Sequence, residues 1–192
     1  MLRLLPEAAS HIPARERLLD RCFGPGRHRK TSEKLRRGRV PAAGLAFSLL
    51  DDRRLIGTVR LWPIIAGSAG PALLLGPIAV SPDRQGEGLG AFLMRHALSE
   101  ARRLGHAAVL LVGDAPYYTR FGFRQDLTRH LVLPGPVERE RFLGLELIPG
   151  ALHDGRGDVV ANGASANAWP RPALPARRQA PASRRPVLAG IP

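Results

Sequence analysis

The chain has 192 residues, 44% of them hydrophobic, and a formal net charge of +13. That length supports one domain plus extras, and the single cysteine, Cys22, excludes an intramolecular disulfide and a cysteine-rich zinc site. No apolar run approaches membrane-spanning length and Met1–Pro6 lacks the apolar stretch of a signal peptide, so a soluble, cytoplasmic protein is expected.

The elements follow in order. Residues 3–5 read as a short strand. Pro13–Phe23 reads as a helix stopped by Gly24, and Cys22 on its apolar side reads as a packed small residue. Thr31 or Ser32 can cap a second helix over Glu33–Arg39, basic on its exposed side. Leu45–Leu50 and Leu55–Trp62 read as antiparallel strands joined by a hairpin at Asp51-Asp52-Arg53-Arg54. Ala72–Val80 reads as a long central strand, Leu89–Leu104 as the main helix closed by Gly105, and Ala107–Val112 as a buried strand. A short helix over Ala115–Phe121 follows, and Arg129–Leu133 with Phe142–Leu147 are expected to form a last antiparallel pair. From residue 156 to 192 the composition turns to Ala, Pro, Arg, Gly and Asn, so a disordered tail is expected after a domain at 1–155.

The turn between the central strand and the main helix carries the most chemistry. Glycines at 86, 88 and 90 let the backbone take positive φ and let a phosphate approach it. The unpaired N–H groups of the helix's first turn and its dipole then favour an anion. Gly90 is followed by Ala91 and Phe92 rather than by Lys and Ser/Thr, which excludes a nucleotide-hydrolysing P-loop. The glycine spacing and the lack of a second βαβ unit disfavour a dinucleotide fold.

Gln85-Gly86-Glu87-Gly88-Leu89-Gly90 resembles the Q/R-x-x-G-x-G/A acyl-CoA signature of the GNAT acetyltransferase superfamily. Val80-Ser81-Pro82 leads into it as that family's V-x-P does. Ala115-Pro116-Tyr117-Tyr118-Thr119-Arg120-Phe121-Gly122-Phe123 resembles the family's tyrosine-bearing short helix. The likeness is specific over residues 75–123. It implies an α/β fold, with a mixed, mostly antiparallel sheet of about seven strands flanked by helices. It also implies an N-acetyltransferase that moves an acetyl group from acetyl-CoA to an amine by direct attack. A noncatalytic acyl-CoA-binding or sensing module is the alternative.

Under that resemblance, the coenzyme contacts fall on Ile78, Ala79, Val80, Arg84, Gln85, Gly86, Glu87, Gly88, Leu89, Gly90 and Tyr118. Backbone N–H of Val80 or Ile78 is the expected oxyanion donor, with Pro77 helping to break the strand ladder. Tyr118, four residues before Gly122, is the expected general acid toward the departing thiolate; Tyr117 is expected to point elsewhere. Asp114, Glu33 and His28 are weaker candidates for a base, and Asp114 reads first as a helix cap. The six histidines show no metal-ligand spacing, so no metal is expected.

The resemblance implies an acceptor near the first two helices and the hairpin of the second and third strands, a region that holds the basic residues Arg27, His28, Arg29, Lys30, Lys34, Arg36 and Arg37. Such a wall would repel polyamines and favour an acceptor bearing carboxylate or phosphate. The reading that this is only a solvated helix face stays open. Trp62 is expected in the core or at an edge, with a place lining the acceptor cleft as the alternative. The acceptor itself, a small molecule or a protein, is not specified. Edge strands over 129–147 could support a homodimer. Residues 161–192 carry five arginines and no acid, which leaves +8 on residues 1–160. With 5% aromatic residues and no RNA-binding motif, a nucleic acid is not the expected partner.

Overall fold

The computed structural model describes residues 1–166. Eight strands form one sheet: β1 (Leu2–Pro6), β2 (Ala46–Asp51), β3 (Arg54–Ala66), β4 (Pro71–Val80), β5 (Ala108–Val112), β6 (His130–Val132), β7 (Phe142–Glu146) and β8 (Arg156–Ala161). The main path runs β1-β2-β3-β4-β5-β7, with β8 against the far end of β3 and β6 beside β8. Pairing is antiparallel except for β4 with β5 and β6 with β8. The mixed, mostly antiparallel sheet expected from the sequence is present, with β8 added to it. Helices α1 (Ile12–Phe23), α2 (Thr31–Lys34), α3 (Leu89–Arg103) and α4 (Ala115–Tyr118) complete the described fold.

Both faces of the central strands are covered, which explains their near-continuous apolar runs. On β4 and β5, Leu73, Leu75, Val109 and Leu111 turn toward Leu93, Met94 and Ala97 of α3. Leu74, Ala108 and Leu110 turn the other way, against Trp62, Phe142 and Leu152. Trp62 is therefore a core residue, and its Nε1 donates to the Gly76 carbonyl at 2.6 Å. A smaller cluster seats α1 through Leu18 and Leu19 on Leu55 and Ala79.

Three expectations are corrected. First, the final antiparallel pair does not form. Phe142–Glu146 pairs with β5 instead, because that all-apolar strand must satisfy its second edge inside the sheet. His130–Val132 pairs in parallel with Arg156–Asp158. The connection between β6 and β7 contains Pro134 and Pro136 and does not act as a hairpin turn.

Second, the ordered domain does not stop at residue 155. Arg156–Ala161 is β8, held by Val159, Val160 and Ala161 against β3, and Val159 is buried. The apolar signal of that strand is only the adjacent pair Val159 and Val160, too brief to stand out from the Ala/Gly-rich background. Residues 167–192, the rest of the expected tail, lie outside the described residues.

Third, α2 is one turn long rather than the stretch 33–39. Gly38 takes a φ of +68°, and the chain passes through tight turns after Lys34. Neither Thr31 nor Ser32 caps it. Thr31 Oγ1 donates to the Pro136 carbonyl at 2.5 Å and Lys34 Nζ to the Pro134 carbonyl at 2.9 Å, tying α2 to the β6–β7 connection.

Candidate active site

The site arises where β4 and β5 part. Their parallel pairing is confined to Leu73 with Val109 and Leu74 with Leu110, yet β4 runs on to Val80. On its other edge, Gly76 and Pro77 stand opposite the single residue Arg60, between the pairs Leu61–Leu75 and Val59–Ile78. A bulge of this kind bends the strand and re-aims the residues beyond it. Pro77, joined to Gly76 by a cis bond, has no N–H to give a neighbour. Ser81 N–H donates to the Ile56 carbonyl at 2.7 Å, toward β3. By the two-residue period of a strand, N–H of Ile78 and Val80 point the opposite way, into the gap beside β5.

Below the gap, the chain turns into α3 through the glycines. Gly86 and Gly88 take φ of +86° and +77°, conformations that strain any residue with a Cβ. Gly88 is the N-cap of α3, and a Cβ built on it would meet nothing within 4 Å. Its space opens to solvent, beside the free N–H groups of the first helical turn. The turn is braced from outside. Arg84 Nη1 pairs with Asp51 at 2.6 Å and its Nε with Glu87 at 2.7 Å. Arg54 pairs with Asp83 at 2.8 Å, and this guanidinium together with the Ser81 hydroxyl holds the Asp83 carboxyl well below its ordinary range. Gln85 Nε2 and Cys22 Sγ both donate to the Val80 carbonyl, each at 3.3 Å.

These parts enclose a cleft of about 480 Å³. It is lined by Ile78, Ala79 and Val80 of β4, by Arg84, Gln85, Gly86, Gly88, Leu89 and Gly90, and by Tyr118. Of the expected coenzyme contacts, Glu87 alone lies off this wall, turned to Arg84. Tyr117, Arg120 and Ala91 line the cleft as well and were not anticipated. The Tyr117 hydroxyl stands 3.0 Å from where a Cβ on Gly90 would be, and the Arg120 guanidinium lies 4.0 Å over the Tyr117 ring. The Gly90 position therefore admits the tyrosine, a relation between distant segments that no local pattern carries.

Tyr118 is half-buried between Gly113, Phe123 and Tyr117. Burial pushes its phenol up to about 12, with a further push from Tyr117. It reaches a second pocket, of about 120 Å³, on the other side of the gap. Phe23, Lys30, Glu33, Arg36, Pro77 and Val112 are among that pocket's walls. Ile78 and Tyr118 are the residues that line both cavities. Of the three base candidates, Glu33 lines the second pocket, while His28 and Asp114 line neither. Asp114 stands at the N-cap of α4 without a side-chain cap bond; its backbone carbonyl accepts from Tyr117 and Tyr118. Cys22 is packed, and burial raises its thiol's pKa.

Residues 12–123 match the sequence pattern of the Acetyltransferase (GNAT) family. The chain belongs to that family. It is 31% identical over 112 residues to the uncharacterised N-acetyltransferase YhbS of Escherichia coli, an alignment spanning 58% of this chain and 66% of YhbS. The crystal structure of YhbS in complex with CoA superposes with a TM-score of 0.69 at 27% identity, covering 84% of this chain and 89% of that one. A GNAT family acetyltransferase of Brucella melitensis, in complex with acetyl-CoA, gives 0.63 at 25% identity, over 84% of this chain and 96% of that one. This GNAT chain shares with both the open sheet described above. Among its described residues no helix is long and apolar enough to cross a membrane.

Proposed function

We propose that this chain transfers an acetyl group from acetyl-CoA to an amine by direct attack. The observation that carries the reading is the junction: a glycine-turn cleft and a second, basic pocket meet at one backbone strand and one phenol. The amides of Gly86, Gly88, Leu89 and Gly90 suit a diphosphate, as they combine unpaired donors with the positive end of α3. Arg84 is committed to Asp51 and Glu87, so its part is to brace the turn rather than to supply a free charge.

In this reading the amine enters from the second pocket with its lone pair free and attacks the thioester carbonyl carbon. The N–H of Val80 or Ile78 stabilises the negative charge that grows on the carbonyl oxygen, a contribution of about 3 kcal/mol for a well-aimed donor. Collapse of the adduct breaks the C–S bond. Tyr118 gives its proton to the departing thiolate, and the amine's proton leaves to solvent, from which the phenolate is reprotonated. A phenol held up to about 12 is fully protonated at neutral pH, as an acid must be.

The test is free-thiol release from acetyl-CoA across an amine panel, with calorimetric titration of CoA alongside. Acetylated product and stoichiometric thiol support the transfer. Tight CoA binding without any acceptor turnover would leave a binding module, and no CoA binding at millimolar concentration would remove the assignment.

A further inference from the structure

The second pocket holds more cationic charge than its own acids neutralise. Arg27 is spent outward, on Glu16 at 2.5 Å and Asp20 at 2.8 Å. Arg36 is different. It is 9% exposed, and its Nη2 serves Glu33 at 3.0 Å and the Ser32 hydroxyl at 3.4 Å. Its Nε is fully enclosed and has no hydrogen-bond partner among the described residues. A buried guanidinium with an idle donor is costly unless something supplies the missing acceptor. Lys30 lies 4.9 Å over the Phe23 ring, and among the described residues no carboxylate pairs with it. Burial holds the Lys30 ammonium below its ordinary pKa, and the positive field of Arg141 and Arg36 adds to that.

Such a field acts on an amine in two ways. It disfavours the ammonium form, which cannot attack, and it repels amines that have nothing else to offer. An amine that also bears a carboxylate escapes the repulsion and offers an acceptor to Lys30 and to the Arg36 guanidinium, which both line the pocket. The pocket is about 120 Å³, small beside the 480 Å³ of the glycine-turn cleft, which suits an acceptor whose amine and carboxylate are near neighbours. Lys30, Ser32 and Val112 also line a wider groove running past Pro136, Val137 and Arg141, with room for a substituent.

We propose that the acceptor is a small amino acid-like molecule, whose carboxylate is bound by Arg36 and Lys30 while its amine faces Ile78 and Tyr118. The inference rests on the acetyl transfer proposed above.

The experiment compares free amino acids with their own carboxamides, by thiol release with saturating acetyl-CoA. Accepted acids should exceed their carboxamides in kcat/KM by about 100-fold, as expected when one partner of a buried charge pair is removed. Arg36→Gln should collapse that ratio by raising KM for the acid, and Arg36→Lys should restore part of it. Lys30→Gln, at an exposed position, is the variant that does not depend on the core. Carboxamides or plain alkylamines accepted as well as the acids would overturn the inference. So would a preference that survives both Arg36→Gln and Lys30→Gln. A protein that binds CoA by calorimetry yet acetylates no free acid would overturn it and leave the coenzyme reading standing. One that fails to bind CoA would take down the functional reading itself.

Discussion

The ring of Tyr118 occupies the space that a side chain on Gly113 would need. A Cβ built on Gly113 would stand 2.1 Å from Tyr118 Cε2 and 2.9 Å from Cζ, closer than atoms can pack. Gly113 comes directly after the last residue of β5 and Tyr118 is five residues on, so the missing side chain sets where the phenol sits. Gly113→Ala should therefore push the ring out of its place. The expected result is a fall in kcat of about 10-fold or more, with CoA affinity nearly unchanged, because about 1 Å of misplacement is enough to disrupt a proton transfer. A variant with normal kcat would show that the position of the ring does not matter to the reaction.

Tyr118→Phe keeps the ring and its packing against Phe123 and removes the hydroxyl. As the general acid in the proposed reaction, its loss should lower kcat about 100-fold without weakening CoA binding to a similar extent. The measurement is steady-state thiol release with a confirmed acceptor. Turnover equal to the wild type would exclude Tyr118 from the mechanism.

The phenol's acidity can be read directly. The chain has two tyrosines, so Tyr117→Phe leaves Tyr118 alone. Its absorbance titration near the tyrosinate band should have a midpoint above the ordinary phenol value of 10, and below the value of about 12 in the intact protein because the push from Tyr117 is gone. Between those two pH values the folded protein binds more protons than the unfolded chain. Stability is thus fully present below pH 10 and falls as pH rises toward 12. A midpoint near 10 would contradict the burial that places this group.

At the glycine turn, Gly88→Val should weaken CoA binding by at least about 10-fold. The cause would be the backbone rather than a clash inside the free protein, since a Cβ there meets nothing within 4 Å. A φ of +77° costs a β-branched residue about 1–2 kcal/mol, and escaping it re-aims the amides of the first turn. Unaltered affinity by calorimetry would argue against the cradle.

Glu7 anchors the first helix. Its carboxylate meets Arg15 at 2.6 Å and also Arg60, joining β1, α1 and β3 at a site where Glu7 and Arg15 are both nearly buried. Glu7→Ala should cost about 3 kcal/mol in urea unfolding, because it strands Arg60 and half of Arg15's pairing. A loss below about 1 kcal/mol would mean that water reaches the arginines.

What could be read from residues in order was whatever one segment settles by itself. The glycines of 86–90, the apolar runs of β4, β5 and α3, and the tyrosine-bearing turn each state a backbone need or a burial need within a short stretch of chain. A break in the ladder near Ile78 was also foreseeable, because Pro77 has no N–H to donate to a neighbouring strand. Contacts between remote segments were decided only when the chain folded. Leu145 and Val159 could each have served several partners, and the register that buries most apolar surface chose β5 for one and β3 for the other. Charge behaved likewise: Arg84 and Arg36 look alike in sequence. Folding gave the first two carboxylates and left the second an idle buried nitrogen, since a guanidinium's role depends on which acceptors the packed chain brings within about 3 Å of it.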